Sequence, residues 1–92
     1  MGREKVLFKS EERKSSVEIV ALLRNIADKI EQGSMTLRQN ENEVVLDFPQ
    51  HMTLEIKVED EVKKRKGTKR ELEIELEWYL GADDRQSGVM IE

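Results

Sequence analysis

The sequence predicts an α+β fold, in which one amphipathic helix packs on one face of an antiparallel sheet of about five strands, in the order β-α-β-β-β-β. Two observations support this class. One stretch of apolar residues has a helical period. The remaining candidate elements are short, strand-like stretches, and the last four are joined by connections too short for parallel crossovers. The 92 residues suffice for one domain, which we place in residues 4–81, with a mobile tail in residues 82–92.

The first strand and the start of the helix are each predicted from a short motif. In "EKVLFKS", residues 4–10, Val6 and Phe8 share one parity and should point into the core. Ser15 and Glu18 have the spacing of a capping box, in which the serine hydroxyl accepts from an early helical N–H and the glutamate reaches back. The helix should therefore begin at Ser15 or at the serine that follows it.

The helix continues in one amphipathic pattern to about Gln32. Gly33 follows and can adopt a positive φ without the steric cost of a Cβ, so the helix should end there. Apolar residues recur every three or four positions and form a stripe that should cover the sheet. The stripe consists of Ile19, Val20, Leu23, Ile26, Ala27 and Ile30.

Four strands are predicted after the helix. "MTLRQ" and "EVVLDF" should form a hairpin across the polar turn "NEN". Pro49 cannot donate to a ladder, so it should mark the break before the next strand, "MTLEIKVEDEV". The basic segment "KKRKGTKR" then turns the chain into the last strand, in "KRELEIELEWYLG".

The last strand has two chemically different faces. Its apolar parity holds Leu72, Ile74, Leu76 and Trp78, and its acidic parity holds Glu71, Glu73, Glu75 and Glu77. A period of two is typical of a half-buried strand, so the apolar parity should lie under the helix and the glutamates on the open face. Trp78 should be at least largely buried. The residues expected among the most buried are Leu23, Ile26, Leu54, Ile56, Ile74 and Leu76.

The pairing of the last two strands depends on the loop between them. If residues 65–67 form a three-residue loop with a left-handed glycine, Lys64 faces Thr68, and Lys57 lies opposite Glu75. Three glutamate–glutamate pairs then follow, namely Glu55 with Glu77, Glu59 with Glu73 and Glu61 with Glu71. The hairpin would be a dipole, basic at its tip and acidic along the open face.

Composition excludes several function classes. Charged residues make up 39% of the chain, but 16 basic and 20 acidic residues leave a net charge of −4, so no global field selects nucleic acid or an anionic membrane. Without cysteine the chain has no disulfide framework and no thiolate ligand. Apolar runs are far shorter than the roughly 20 residues of a membrane span. We expect a cytoplasmic protein without membrane contact.

No catalytic, metal or cofactor-binding site is predicted. His51 is the single histidine, and neither a cysteine nor a second histidine completes a zinc site. The five glycines show no phosphate-binding spacing. The glutamates could perform acid–base chemistry only in a desolvated pocket, and an open sheet face implies none. We therefore expect no enzyme and no cofactor.

Two charged surfaces are candidates for partner contact. The basic tip carries six cations in eight positions: Lys63, Lys64, Arg65, Lys66, Lys69 and Arg70. The acidic face consists of Glu71, Glu73, Glu75 and Glu77. Each surface is also typical of a merely solvated region. No aromatic residue lies between the cations of the tip, so the stacking platform of single-strand binders is absent there.

The segments "EKVLFKSEERKS", "ADKIEQG", "MTLRQ" and above all "KRELEIELEWYLG" together resemble the amphi-Trp domain family. The resemblance covers about Glu4 to Gly81. It supports the fold derived above, and Trp78 matches the family's tryptophan, which implies a structural role. It implies no activity, cofactor or catalytic residue.

The leading hypothesis is therefore a non-enzymatic protein-interaction module with a protein partner. The alternative is binding of nucleic acid or another polyanion through the basic tip, Lys63 to Arg70. The sequence does not determine the oligomeric state.

Overall fold

The computed structural model describes residues 2–81. These residues form one helix and four antiparallel strands, which confirms the α+β class. The strands form two two-stranded sheets, where a sheet of about five strands was expected. The chain divides into two compact units, residues 2–48 and 49–81 within the described range. The predicted tail, residues 82–92, lies outside the described residues.

The first unit contains helix α1, which spans Ser16–Gln32 as predicted. Its capping box is formed: the Ser15 hydroxyl accepts from the Glu18 N–H at 3.1 Å, and the Ser15 N–H donates to Glu18 Oε1 at 3.1 Å. At the other end Gly33 has a φ of 102° and donates back to two carbonyls of the last helical turn. Local side chains and one glycine thus satisfy backbone groups that a helix end leaves unpaired. Within residues 2–81, no helix is long and apolar enough to cross a membrane.

A hairpin completes the first unit. Strands β1 (Ser34–Gln39) and β2 (Asn42–Asp47) pair antiparallel along their full lengths, and α1 contacts β1. The turn between the strands has two residues, one fewer than predicted. Asn40 in this turn has a φ of 55°, a conformation that asparagine tolerates better than most residues.

The strand predicted in residues 4–10 is absent, because residues 2–14 contain neither helix nor strand. The segment accepts one hydrogen bond, from the Asn42 side chain to the Leu7 carbonyl at 3.1 Å. A single side-chain hydrogen bond does not pair this segment with another strand. Without such pairing the segment is not part of a sheet, so its alternating side chains are not divided between two sheet faces. Val6 is accordingly 75% exposed and Phe8 is half-buried.

The second unit contains strands β3 (Thr53–Lys63) and β4 (Gly67–Glu77), which form a long antiparallel ribbon. Residues 64–66 connect them, and Gly67 has the predicted positive φ, at 82°. The loop therefore lies one residue earlier than expected, which shifts the pairing by two residues. An even shift leaves every side chain on the face that the sequence predicted.

None of the described residues is buried, and the prediction that six named residues are among the most buried is wrong for four of them. Ile26 and Leu76 are half-buried. The other four are 49–62% exposed, namely Leu23, Leu54, Ile56 and Ile74. The prediction assumed one sheet of about five strands, whereas a two-stranded ribbon leaves its faces open.

Candidate interaction surface

One face of the β3–β4 ribbon carries three successive rungs in which an aliphatic residue lies opposite another. The rungs are Leu54–Leu76, Ile56–Ile74 and Val58–Leu72, and these six residues are termed the apolar face. Five of them are 57–64% exposed, and Leu76 is half-buried. Because cross-strand neighbours on one face lie about 5 Å apart, the six side chains form one continuous patch.

An ion pair borders the apolar face on the side of the loop. Asp60 and Arg70 lie opposite each other on the same face, and the guanidinium binds the carboxylate through two hydrogen bonds of 2.8 and 2.9 Å. The hydrogen bond from Arg70 lowers the pKa of Asp60, and its counterpart raises the pKa of Arg70. Sequence reasoning missed this pair. The available signal was that Asp60 in β3 and Arg70 in β4 each lie on the parity of their strand that otherwise holds mainly apolar residues.

The opposite face of the ribbon pairs charged residues. Its rungs are Glu55–Glu75, Lys57–Glu73, Glu59–Glu71 and Glu61–Lys69. Two rungs pair glutamate with glutamate and two are oppositely charged, where the predicted register gave three glutamate–glutamate rungs. The shift of two residues brings Lys57 opposite Glu73, with 3.7 Å between Nζ and Oε2, and a second carboxylate, Glu59, lies 3.6 Å away. The negative charge of Glu59 and, to a smaller extent, that of Glu73 raise the pKa of Lys57.

The acidic face is open to solvent. Glu71 and Glu73 are half-buried, whereas Glu75 and Glu77 are exposed. A hydrogen bond with Glu55 and repulsion from it, followed by repulsion from Glu77, raise the pKa of Glu75. Since water reaches these groups, their mutual repulsion is screened.

The structure divides the basic tip into paired and unpaired cations. Lys63 lies 3.2 Å from a carboxylate oxygen of Glu61, Lys69 lies 3.7 Å from one of Glu71, and Arg70 binds Asp60. The remaining three, Lys64, Arg65 and Lys66, form the exposed loop. Among residues 2–81, none of these three has a carboxylate partner. Three of the six predicted cations thus lie beside a carboxylate, and the other three do not.

The other residues singled out in the sequence lie outside strands β3 and β4. His51 is exposed in the connection between β2 and β3, and Trp78 is half-buried directly after the end of β4. Tyr79 beside it is 87% exposed. Within residues 2–81, no three acidic or histidine side chains are grouped so that they could hold a metal ion.

Comparison with known proteins gives one family match. The family model of the Amphi-Trp domain matches residues 1–92. This match extends beyond Glu4 to Gly81, the range of the resemblance noted in the sequence. No curated protein and no solved structure matches the chain.

Proposed function

Since the chain belongs to the Amphi-Trp domain family, we propose that it acts as a non-enzymatic protein-interaction module. The observation that carries this proposal is the apolar face, with five side chains that are 57–64% exposed. Contiguous exposed apolar patches on soluble proteins mark contact surfaces. A partner that covers this patch removes its aliphatic side chains from water, which is favourable in proportion to the area covered.

The chemistry of the surface favours a protein partner. Aliphatic side chains offer neither charge nor hydrogen bonds to a phosphate, but they match the apolar centre of a protein interface. The Asp60–Arg70 pair at the border of the patch supplies a polar rim whose charges are already neutralised. Glu75 and Glu77, the two exposed carboxylates of the acidic face, support a non-enzymatic role, because acid–base catalysis uses groups held in a desolvated pocket.

The proposal is tested by affinity capture from the source cells with three baits. The first is the wild type. The second carries Ile56→Thr and Ile74→Thr, which replace the central rung of the apolar face with residues that keep a high strand propensity. The third carries Glu55→Thr and Glu75→Thr, which place the same threonine pair on the neighbouring rung of the opposite face.

The expected result is a protein retained by the wild type and the third bait but lost by the second. Identical proteins captured by all three baits would contradict a role for the apolar face. The cytoplasmic location expected from the sequence remains part of the proposal, and fractionation of the source cells followed by immunoblotting tests it.

Polyanion binding through the basic tip is the second candidate. Lys64, Arg65 and Lys66 favour it, because among residues 2–81 they are exposed cations without a carboxylate partner. Three cations give only a weak contact, whose affinity falls steeply with salt. The test titrates single-stranded and duplex oligonucleotides at low salt against the wild type and a variant with these three residues changed to glutamate. Equal, negligible binding by both proteins removes this candidate.

A further inference from the structure

We infer that a second copy of this chain covers the apolar face, so that the protein forms a symmetric dimer through two β3–β4 ribbons. The inference rests on the proposed function and identifies its partner. A two-stranded hairpin by itself is only marginally stable in water. The apolar face lowers the stability of the ribbon further, because five of its aliphatic side chains are 57–64% exposed to water. Covering this face gives the ribbon the second layer that sheets need.

The apolar face is complementary to itself. Its three rungs are symmetric about the central rung, Ile56–Ile74, with one aliphatic rung on either side. A two-fold axis that crosses the strands at this rung places Ile56 on Ile56 of the second copy, and Leu54 on its Val58. Every aliphatic residue then meets an aliphatic residue. A two-fold interface requires this property, because the same patch serves both copies.

Charge favours this orientation over the alternative in which the two-fold axis runs along the strands. In that alternative, corresponding strands of the two copies run in the same direction. An axis across the strands places the two loops, each with Lys64, Arg65 and Lys66, at opposite ends of the dimer. The alternative would bring both loops side by side, where their positive charges repel. The Asp60–Arg70 pair at the border is neutral as a unit, so its partial covering leaves no unpaired charge.

The area of the patch fits a weak dimer. An aliphatic side chain offers roughly 60–120 Å² of apolar surface, so six side chains at the observed exposure present roughly 300 Å² per copy. Apolar atoms make up about 60% of an interface, so two copies bury roughly 1,000 Å² in total. This value is the lower limit for a specific interface. We therefore expect dimerisation that depends on concentration in the micromolar range.

Sedimentation equilibrium of the purified full chain is the first test. The wild type should change from 10.8 kDa to twice this mass as its concentration rises. The variant with Ile56→Thr and Ile74→Thr should remain at the monomer mass, while the variant with Glu55→Thr and Glu75→Thr should dimerise as the wild type does. Dimerisation of all three proteins would overturn the inference, because the contact would then lie elsewhere.

Disulfide trapping tests the same geometry without removing the apolar rung. The chain contains no cysteine, so a single introduced thiol reports on one position. Ile56→Cys places two thiols at the two-fold axis, whereas Lys57→Cys places them on the opposite face of the same strand. Mild oxidation should link the first variant into dimers roughly tenfold faster or more, because association raises the effective thiol concentration. Equal rates for both variants would overturn the inference.

The tests separate this inference from the proposed function. A wild type that stays monomeric up to about 1 mM, the weak end of the affinity scale, overturns the inference. If such a monomer still captures another protein that the Ile56→Thr, Ile74→Thr bait loses, the interaction module survives with a different partner. If the capture patterns are identical as well, both proposals fail.

Discussion

At the scale of single residues, the start of helix α1 depends on Ser15 and Glu18, which exchange hydrogen bonds of 3.1 Å. Ser15→Ala removes the hydroxyl that accepts from the Glu18 N–H, so the variant should lose about 0.5–2 kcal/mol of stability. Urea denaturation followed by far-UV circular dichroism measures this loss. Ser16→Ala, one residue inside the helix, is the matched control and should change stability much less.

The same cap has a pH signature. The backbone N–H of Ser15 lowers the pKa of Glu18 from its ordinary value of 4.5. A lowered carboxylate pKa means that the stabilisation is present above pH 4.5 and is lost as the pH falls through the lowered pKa. The stability difference between wild type and Glu18→Gln, which removes the carboxylate, should therefore shrink in acid. A difference that stays constant down to pH 2 would show that the carboxylate of Glu18 does not contribute.

Glu75 should respond to pH in the opposite sense. Its hydrogen bond with Glu55 and its repulsion by Glu55 and Glu77 raise its pKa above 4.5. The folded state then binds the proton more tightly than the unfolded state, so acidification through the raised pKa towards 4.5 stabilises the ribbon. Glu75→Gln should be more stable than the wild type at neutral pH and should lose this gain on acidification.

Thermal denaturation at several pH values between 7 and 4.5 measures the effect of Glu75→Gln. Glu73→Gln, two residues away on the same face, is the control, because Glu73 lies 3.7 Å from the Lys57 ammonium and removal of its charge abolishes a favourable contact. An equal gain in both variants would indicate a general effect of net charge.

At the scale of the element, the β3–β4 hairpin depends on the left-handed backbone of Gly67, with a φ of 82°. A Cβ at this position would meet no atom within 4 Å, so a substitution acts through the backbone alone. Gly67→Ala should cost about 1–2 kcal/mol, the price of a left-handed L-residue. Gly67→Asn should cost less, because asparagine tolerates this region. Chemical denaturation compares both variants with Gly2→Ala, and equal stability of all three would contradict a left-handed requirement.

At the scale of the whole molecule, stability should depend on protein concentration. No residue between 2 and 81 is buried, and covering the apolar face by a second copy stabilises the folded state by mass action. The melting temperature of the wild type should rise with concentration, and that of the Ile56→Thr, Ile74→Thr variant should stay constant. Calorimetry over a hundredfold range of concentration measures both. A constant melting temperature for the wild type would contradict dimerisation.

The elements that sequence analysis predicted correctly depend on contacts between neighbours in the chain. Ser15, Glu18 and Gly33 define the ends of α1 through hydrogen bonds that span a few residues. The alternation from Glu71 to Glu77 indicates strand β4 because a period of two matches an extended backbone and no helix. The residues of the acidic face could be identified for the same reason, since the parity of a residue assigns it to one face of a strand. The basic tip could be identified because its cations are close together in the chain.

Tertiary structure alone decided which segments meet. Residues 4–10 have a strand-like pattern but no ladder partner, and no local signal reveals a missing partner. The loop could begin at Lys64 or Arg65 because neighbouring charged residues are nearly equivalent in a solvated turn, and that one-residue choice determines whether Lys57 faces Glu73 or Glu75. It also brings Asp60 opposite Arg70. Burial failed as a prediction because periodicity shows which face of a strand is apolar, whereas exposure depends on a second layer supplied by distant residues or by another chain.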